Sequence, residues 1–385
     1  MDRPTNDMII TNARLVLRDQ VIERGWIALA GGRIAEIGEG RAPERAEDAA
    51  GDFVMPGLVE LHTDHIEAHY VPRPKVYWDP IAAVVSYDGQ LATSGITTVL
   101  DSLRLWRDEA EIEVDGQAEI LARAIASARE AGLLRVDHFL HLRCEIPTRH
   151  LLDEAAKLID RDDVRLASLM DHTPGQRQFR DEGKLRDYYR GKKGGMSDAE
   201  LDVMFARRIE DQKAYAETNM REMVALAKKH AVPLASHDDT TAEHVVDAVR
   251  DGVSVAEFPT TMEAAEGLHK AGVQILMGAP NVVRGGSHAG NIAAVDLARV
   301  GLLDILSSDY VPSSLLMAAM QLPERVPGID LAAAIRTVTC NPATAVGLDD
   351  RGTLAVGQRA DLIRVHMAKN VPVVRSAWRE GRRVA

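Results

Sequence analysis

The sequence predicts an α/β protein, a (β/α)8 TIM-like barrel with a small β-sandwich domain formed by both termini. Three observations lead to this prediction. Eight strand-like apolar segments alternate with helical stretches through the middle of the chain. Both ends consist instead of short alternating segments broken by turns. A length of 385 residues is sufficient for a barrel with such an addition.

The middle of the chain supplies the eight units of the barrel. The candidate strands lie at residues 59–63, 97–101, 136–145, 165–171, 233–237, 255–259, 274–278 and 305–309. Helical stretches between them include residues 117–131, 217–229, 242–250 and 262–270. An open doubly wound sheet is the structural alternative, but the count of eight favours closure.

The ends of the chain predict one shared β domain. Residues 1–55 together with 346–385 are assigned to it, and residues 56–345 to the barrel. One barrel connection is unusually long, at about residues 174–220, and it is rich in basic and aromatic side chains. Connections of this length are commonly lids or binding elements, so we expect a lid, with a solvated surface excursion as the alternative.

Composition excludes several classes of function. The formal net charge of −12 argues against a nucleic-acid partner, because such binding needs broad neutralisation of phosphates. The two cysteines exclude a cysteine-based zinc site, and we expect no disulfide framework. No apolar run approaches a membrane span, and the first residues lack a signal-peptide pattern. We therefore expect a cytoplasmic protein without a membrane partner.

The first candidate strand carries a His-x-Asp pair, His62 and Asp64. Side chains two positions apart share one face of a strand, so both should point into the barrel mouth. An imidazole beside a carboxylate is a suitable start for a divalent metal site. Taken alone, the pair is a weak signal, since a single histidine is more often a hydrogen-bonded core or surface residue.

Several later strands also end in a potential ligand, and this recurrence strengthens the metal prediction. The complete predicted set is His62, Asp64, Glu145, His172, His237 and Asp309. In a barrel of this type, polar residues at the carboxyl ends of strands are the usual catalytic positions. The set has enough donors for two metals that share a bridging carboxylate and activate a water. Asp309 is predicted to be catalytic, accepting the proton of that water.

A glycine-rich segment follows the seventh candidate strand and predicts a phosphate site. The turn Gly285-Gly286-Ser287 can present consecutive backbone N–H groups to an anion, and Arg284 can add a guanidinium. The further candidate substrate contacts are Asn281, His288, Arg73, Lys75, Arg143 and Arg177. For the last four, the alternative is an ordinary exposed charge.

The pattern as a whole resembles the amidohydrolase superfamily. The motifs that carry the resemblance are Pro56-Gly-x-x-x-x-His-x-Asp, Asn341-Pro-Ala-x-Ala, Gly352-x-Leu-x-x-Gly and Ala360-Asp-Leu, with an Asp closing the eighth strand. The resemblance implies a metal-dependent hydrolase. Because these motifs are shared by many activities, they leave the substrate open.

More specific stretches resemble one family, the phosphonate-utilisation diphosphatases of the bacterial carbon–phosphorus lyase pathway. They include Pro72-Arg-Pro-Lys, His141-Leu-Arg-Cys-Glu, Leu169-Met-Asp-His-x-Pro-Gly-Gln-Arg-Gln-Phe, Ala235-Ser-His-Asp-Asp, Ala256-Glu-Phe-Pro-Thr-Thr and Met277-Gly-Ala-Pro-Asn-x-Val-Arg-Gly-Gly-Ser-His. The resemblance implies hydrolysis of α-D-ribose 1-methylphosphonate 5-triphosphate to the 5-phosphate and pyrophosphate. His65 departs from the family pattern, which has asparagine there, so it is a candidate for a further metal ligand or for a group that supports a ligand.

Two other functions stay open at this point. A conventional amidohydrolase acting on a cyclic amide or carbamate would need the same metals without the phosphate turn. A non-catalytic barrel scaffold would typically lose ligands, whereas the predicted set is complete. For the cofactor we expect one or two divalent ions, with zinc first and iron or manganese as alternatives. The expected partner is a small anionic sugar triphosphate, and homo-oligomerisation is left open.

Overall fold

The computed structural model describes residues 8–43, 45–106, 116–179, 182–193, 196–287 and 290–385. The strands are β1 (Met8–Val16), β2 (Val21–Ala30), β3 (Arg33–Glu39), β4 (Glu47–Asp48), β5 (Phe53–Pro56), β6 (Leu58–Thr63), β7 (Ile96–Arg104), β8 (Asp137–Glu145), β9 (Val164–Met170), β10 (Leu234–His237), β11 (Val253–Glu257), β12 (Gln274–Gly278), β13 (Ile305–Ser307), β14 (Leu362–Ala368), β15 (Val371–Arg379) and β16 (Arg382–Arg383).

Helices follow most of the middle strands. They are α1 (His65–Tyr70), α2 (Pro80–Thr93), α3 (Gln117–Glu130), α4 (Leu151–Ala156), α5 (Glu182–Lys193), α6 (Asp198–Lys229), α7 (Ala242–Asp251), α8 (Met262–Lys270), α9 (Ala279–Arg284), α10 (Ala294–Arg299), α11 (Ser314–Arg325), α12 (Leu331–Arg336) and α13 (Cys340–Ala345). A short 3-10 turn covers Arg177–Phe179. No helix within the described ranges is long and apolar enough to cross a membrane.

Strands β6 to β13 form one parallel sheet in which each strand pairs with the next along the chain. A parallel bridge between Thr63 and Asp309 joins the last strand to the first. The Asp309 N–H donates to the carbonyl of His62 over 3.2 Å. The sheet therefore closes on itself, so the predicted (β/α)8 barrel is confirmed and the open doubly wound alternative is wrong.

The two chain ends form a second sheet, as predicted. Its strand order is β16-β15-β14-β5-β1-β2-β3, with β4 beside β1. The C-terminal strand β14 pairs antiparallel with β5, so both termini contribute to one layer. The buried Trp378 ring shares a small apolar core with Leu15, Ile27 and Val54. The domain boundaries at residues 55/56 and 345/346 stay predictions.

The long connection contains two helices, α5 and the greater part of α6, rather than an extended loop. They pack on each other through an apolar cluster that includes Leu185, Tyr189 and Phe205. Helix α6 begins with a capping box, in which the Ser197 hydroxyl accepts from the backbone N–H of Glu200. The connection is therefore an ordered helical hairpin with its own small core.

Asp137 at the start of β8 links the barrel to the C-terminal part of the chain. Its carboxylate pairs with Arg351 over 2.7 Å, with Arg379 over 3.3 Å, and with Arg359.

We expect Asp137→Ala to lower the free energy of unfolding by about 3 kcal/mol, because three guanidinium groups lose their shared counter-charge. Denaturant unfolding measures this, and the exposed Asp162→Ala is the control, expected to stay within about 0.5 kcal/mol of wild type.

Candidate metal centre and substrate cavity

A cavity of about 1040 Å³ opens at the carboxyl ends of the barrel strands. The predicted residues that line it are His62, Asp64, Arg143, His172, His237, Asn281, Arg284, Gly286, Ser287 and Asp309. Glu145 lies behind His172 and lines a neighbouring cavity of about 580 Å³. The barrel thus brings most of the predicted site residues together around one space. Their roles stay predictions.

Three of the barrel strands are followed, within two positions, by a residue with a left-handed backbone. Asp238, Phe258 and Asp309 follow β10, β11 and β13 with φ angles of 56°, 55° and 54°. The N–H groups of these residues donate to carbonyls of the neighbouring strands, those of Glu257, Leu276 and His62. Such backbone angles are uncommon outside glycine and cluster at functional sites. Here the left-handed backbone turns the carboxylates of Asp238 and Asp309 into the barrel mouth, while the hydrogen bonds to the neighbouring strands are kept.

Two of the predicted ligands share one buried carboxylate. The Nδ1 atom of His62 donates to Oε1 of Glu257 over 2.8 Å, and Nδ1 of His237 donates to Oε2 over 3.1 Å. The two rings are nearly parallel, with centroids 5.6 Å apart. Because each Nδ1 carries the hydrogen of its bond, each Nε2 is left with its lone pair.

The third predicted histidine ligand is held in the same way. Nδ1 of His172 donates to Oε2 of Glu145 over 2.6 Å, and the backbone N–H of His172 donates to Oε1 over 2.7 Å. Both oxygens of Glu145 are thus engaged by His172, which favours an orienting role over the predicted ligand role.

The donors on the cavity side fit a divalent metal. Nε2 of His237 lies 3.5 Å and Nε2 of His172 lies 3.9 Å from Oδ2 of Asp238. On the cavity side, His172, His237 and Asp238 have donor atoms within 4.8 Å of one another. A second group that meets the same limit, His62 with His237 and Glu257, includes the carboxylate buried beneath the rings. Nitrogen and oxygen donors of this kind suit zinc, iron and manganese.

The pKa values of His237 and Asp238 agree with ligand chemistry, whereas for His62 burial opposes the charge but the Glu257 carboxylate raises the pKa on balance. Burial lowers the pKa of His237 to about 3, so its imidazole is neutral at physiological pH, as metal binding requires. Burial also raises the pKa of Asp238 to about 7. A carboxylate that is costly to ionise without a nearby cation gains by binding one.

Asp64 and Asp309 differ in their surroundings although both face the cavity. Asp64 accepts from Arg143 over 2.8 Å and lies 3.8 Å from Arg104. Burial opposes ionisation, but these two guanidinium groups lower the pKa of Asp64 on balance. Burial and the charge of Asp64 raise the pKa of Asp309 to about 6. Asp309 is therefore the more basic of the two carboxylates.

The glycine-rich turn differs from its prediction in one respect. The N–H groups of Gly285 and Gly286 both donate to the carbonyl of Asn281, over 3.1 and 2.9 Å, and so end helix α9. Both N–H groups are thus engaged within the helix end, and contact of this turn with substrate stays a prediction. The side-chain oxygen of Asn281 accepts from the N–H of Ala294. Exposed Arg284 does line the cavity, and His288 lies outside the described residues.

Three other predicted substrate contacts lie away from the cavity surface. Arg177 donates to the backbone carbonyl of His237 and to Oδ1 of Asp239, each over 2.7 Å. It therefore supports the loop after β10. Arg73 and Lys75 lie exposed in the turn after α1. Neither lines the described cavity, so their contact with substrate stays a prediction.

Sequence reasoning missed three residues of the site, Arg104, Trp106 and Glu257, and it predicted Asp238 only as a possible orienting partner of a neighbouring ligand. Arg104, at the end of β7, and Trp106 line the cavity, as does Asp238. Glu257 ends β11 and is fully buried beneath the histidines. The rule that polar residues at strand ends are functional would have found Arg104 and Glu257, had it been applied to every strand. Trp106 stacks on His172 with ring centroids 6.3 Å apart.

His65, the departure from the family pattern, lies in neither group of candidate donors within the described residues. Its Nε2 bonds to Oε1 of Gln90 on α2 over 3.1 Å, and Nε2 of His69 bonds to the same oxygen over 2.8 Å. The structure thus directs His65 towards helix α2.

His138 in the barrel wall predicts a pH dependence of stability. It lies buried between Asp101 (2.8 Å) and Asp88 (3.4 Å). Burial opposes its charge, but the two carboxylates raise the pKa to about 9. Its contribution is fully present below the unfolded pKa near 6.5 and is lost as pH rises through about 9. We expect the melting temperature of wild type to fall from pH 7 to 9, and that of His138→Gln to fall less; parallel curves would contradict this.

Comparison with known proteins gives the family. The model of the amidohydrolase family matches residues 53–384, which include the whole barrel and the C-terminal strands. The chain belongs to the amidohydrolase family. This amidohydrolase is 43% identical over 380 residues to the α-D-ribose 1-methylphosphonate 5-triphosphate diphosphatase of Escherichia coli (strain K12), covering 98% of this chain and 100% of the relative.

The chain is also similar to more distant relatives and to solved structures. The amidohydrolase is 23% identical to the imidazolonepropionase of Deinococcus deserti, over 97% of this chain and 92% of that protein. Among solved structures, 5-methylcytosine deaminase of Klebsiella pneumoniae has a TM-score of 0.67 at 17% identity, covering 98% of both chains. N-acetyl-D-glucosamine-6-phosphate deacetylase of Mycobacterium smegmatis has a TM-score of 0.63 at 18% identity, covering 98% of this chain and 100% of that one. These two structural likenesses support the fold alone.

Proposed function

We propose that this amidohydrolase hydrolyses α-D-ribose 1-methylphosphonate 5-triphosphate to the 5-phosphate and pyrophosphate. The observation that carries the proposal is one cavity that combines histidine and carboxylate donors with Arg104, Arg143 and Arg284. A cyclic amide would need the donors but no group of arginines. The activity named for the Escherichia coli relative is in accord with such a cavity.

The residues proposed to hold the metal are His62, Asp64, His172, His237 and Asp309, and the structure adds Asp238 as a donor. Glu145, the sixth residue of the predicted set, is proposed to orient His172. We propose zinc as the ion, one or two per chain. When bound, a divalent metal supplies a Lewis acid that polarises phosphate oxygens and lowers the pKa of water. The buried carboxylates Glu145 and Glu257 hold the imidazoles so that their Nε2 atoms face the cavity.

Asp309 takes the proton in the proposed mechanism. A water oxygen attacks the α-phosphorus, the bond from that phosphorus to the α–β bridging oxygen breaks, and pyrophosphate leaves. Asp309 accepts the proton of the attacking water at a carboxylate oxygen. With a pKa near 6 in the metal-free protein, Asp309 is a stronger base than an ordinary aspartate.

The arginines bind the anionic substrate. Arg143 and Arg104 lie beside Asp64, while Arg284 lines another part of the same cavity. Guanidinium groups pair with phosphate oxygens and stabilise the charge that develops on pyrophosphate. Arg186 and Arg190 of the helical hairpin contribute less than expected, because they pair with aspartates of the hairpin itself. We also propose a cytoplasmic location.

Phosphorus NMR in ¹⁸O-water tests the proposal directly. Metal-replete enzyme is given ribose 1-methylphosphonate 5-triphosphate, and we expect pyrophosphate with the label in the 5-phosphate product. Label in pyrophosphate would overturn attack at the α-phosphorus. No turnover by a metal-containing protein would reject the diphosphatase, and cleavage of a hydantoin or lactam would select the cyclic-amide alternative. Absence of bound metal would favour the scaffold.

A further inference from the structure

One buried carboxylate serves two histidines that come from different strands. Glu257 ends β11, while His62 lies on β6 and His237 ends β10. Each oxygen of Glu257 accepts from one ring, over 2.8 Å from His62 and 3.1 Å from His237. Two rings bound through Nδ1 have their Nε2 atoms on the side away from Glu257.

The surroundings hold Glu257 and the two rings in this arrangement. The Ser168 hydroxyl on β9 donates to Oε2 of Glu257 over 2.5 Å. The next residue, Phe258, packs its ring edge-on against both imidazoles, with centroids 5.2 Å from each. Glu257 is fully buried, so bulk solvent does not compete for its oxygens. Ser168 therefore holds the carboxylate of Glu257, and Phe258 holds the two imidazole rings.

We propose that Glu257 is a positioning residue that sets the tautomer of both His62 and His237, and so prepares two metal-binding nitrogens at once. Carboxylates commonly orient single histidine ligands in this way. Because Glu257 orients two proposed ligands, His62 and His237, the metal affinity depends on Glu257 through both of them. The inference rests on the proposed function, because it assumes that these Nε2 atoms bind a metal.

Replacement of Glu257 by glutamine tests the proposal, because glutamine has the shape of glutamate but one oxygen acceptor fewer. Its amide oxygen can accept from one Nδ1–H, but its NH₂ group can only donate to the other ring. That second ring must then carry its hydrogen on Nε2, where it can no longer bind a metal. We expect Glu257→Gln to lower zinc affinity by roughly 10- to 100-fold, measured by competition with a chromophoric chelator.

The tautomers themselves are a readout that a merely structural role would not change. In metal-free protein with ¹⁵N-labelled histidine, we expect both rings of wild type to carry hydrogen on Nδ1. In Glu257→Gln, one of them should carry it on Nε2. His62→Gln and His237→Gln assign the two signals. Glu60→Gln is the matched control, since Glu60 is equally buried but accepts from the backbone N–H groups of His62 and Ser308. Its rings should keep the wild-type tautomers.

The outcomes separate this inference from the proposed function. Wild type without bound zinc would reject the proposed function. If wild type and Glu257→Gln bind zinc equally, and both rings of the variant carry hydrogen on Nδ1, the proposed role of Glu257 is overturned. The proposed function is then unaffected. If the variant does not fold, the wild-type spectrum still decides: hydrogen on Nε2 of either ring in the metal-free protein contradicts the proposal, and hydrogen on both Nδ1 atoms supports it.

Discussion

Replacing Asp309 by asparagine should lower kcat for pyrophosphate release by roughly 10²- to 10⁴-fold while the protein stays folded. An amide cannot accept the proton of the attacking water. Folding should not suffer, because the pKa of Asp309 is raised to about 6 by burial and by Asp64. An acid with a raised pKa costs stability once it ionises, so at pH 7.5 the metal-free variant should melt at the same temperature or higher.

Asp304 provides the control for this substitution. It lies just before β13, and its Oδ2 accepts from the N–H of Ile275, a bond that asparagine can also make. It does not line the described cavity. Steady-state kinetics of Asp304→Asn should match wild type within about threefold. An Asp309→Asn enzyme that keeps its kcat within the same range would show that another group takes the proton.

Removal of the metal should abolish activity, and addition of zinc should restore it. We expect dialysis against a chelator to reduce turnover below detection, because the Lewis acid that activates water is lost. Zinc at about 100 times its dissociation constant should also stabilise the fold by about 2.7 kcal/mol, visible as a higher melting temperature. Iron and manganese are tested in the same titration.

His237→Ala separates specific metal binding from a general effect of zinc. Its ring belongs to both groups of candidate donors, so zinc should neither restore activity nor raise the melting temperature of this variant. His269→Ala is the control, because His269 lies at the exposed end of α8. Full reactivation of His237→Ala by stoichiometric zinc would contradict the proposed ligand set.

The barrel could be predicted from sequence because its signals are local. Alternation of apolar segments with helices gave all eight strands, and helix α8 was predicted at its observed limits, residues 262–270. His62 on β6 and Asp64, which directly follows Thr63, both line the cavity, as the two-residue spacing of the pair predicted. His172 and His237 were predicted at strand ends, and both line the cavity.

The long connection shows where local reasoning was incomplete. Its basic and aromatic residues predicted a lid or a binding element, but Arg186 and Arg190 pair with Asp187, Asp198 and Asp202 of the same hairpin. Charges along a chain indicate a binding surface only when their counter-charges lie elsewhere. The pairing depends on how α5 packs on α6, which the sequence pattern does not specify.

By itself the sequence determined the fold class, the family and most of the residues that face the barrel mouth, because these depend on period and on motifs within a few positions. The tertiary structure decided how the side chains are paired. Glu257 meets His62 across 195 positions of chain, and only closure of the barrel brings them within 2.8 Å. The left-handed backbone at Asp238 and Asp309, and the use of the Gly285 and Gly286 N–H groups to end α9, were likewise set by sheet and helix hydrogen bonds. A hydrogen bond needs atoms to meet in space, and residues far apart in the chain meet only in the folded protein.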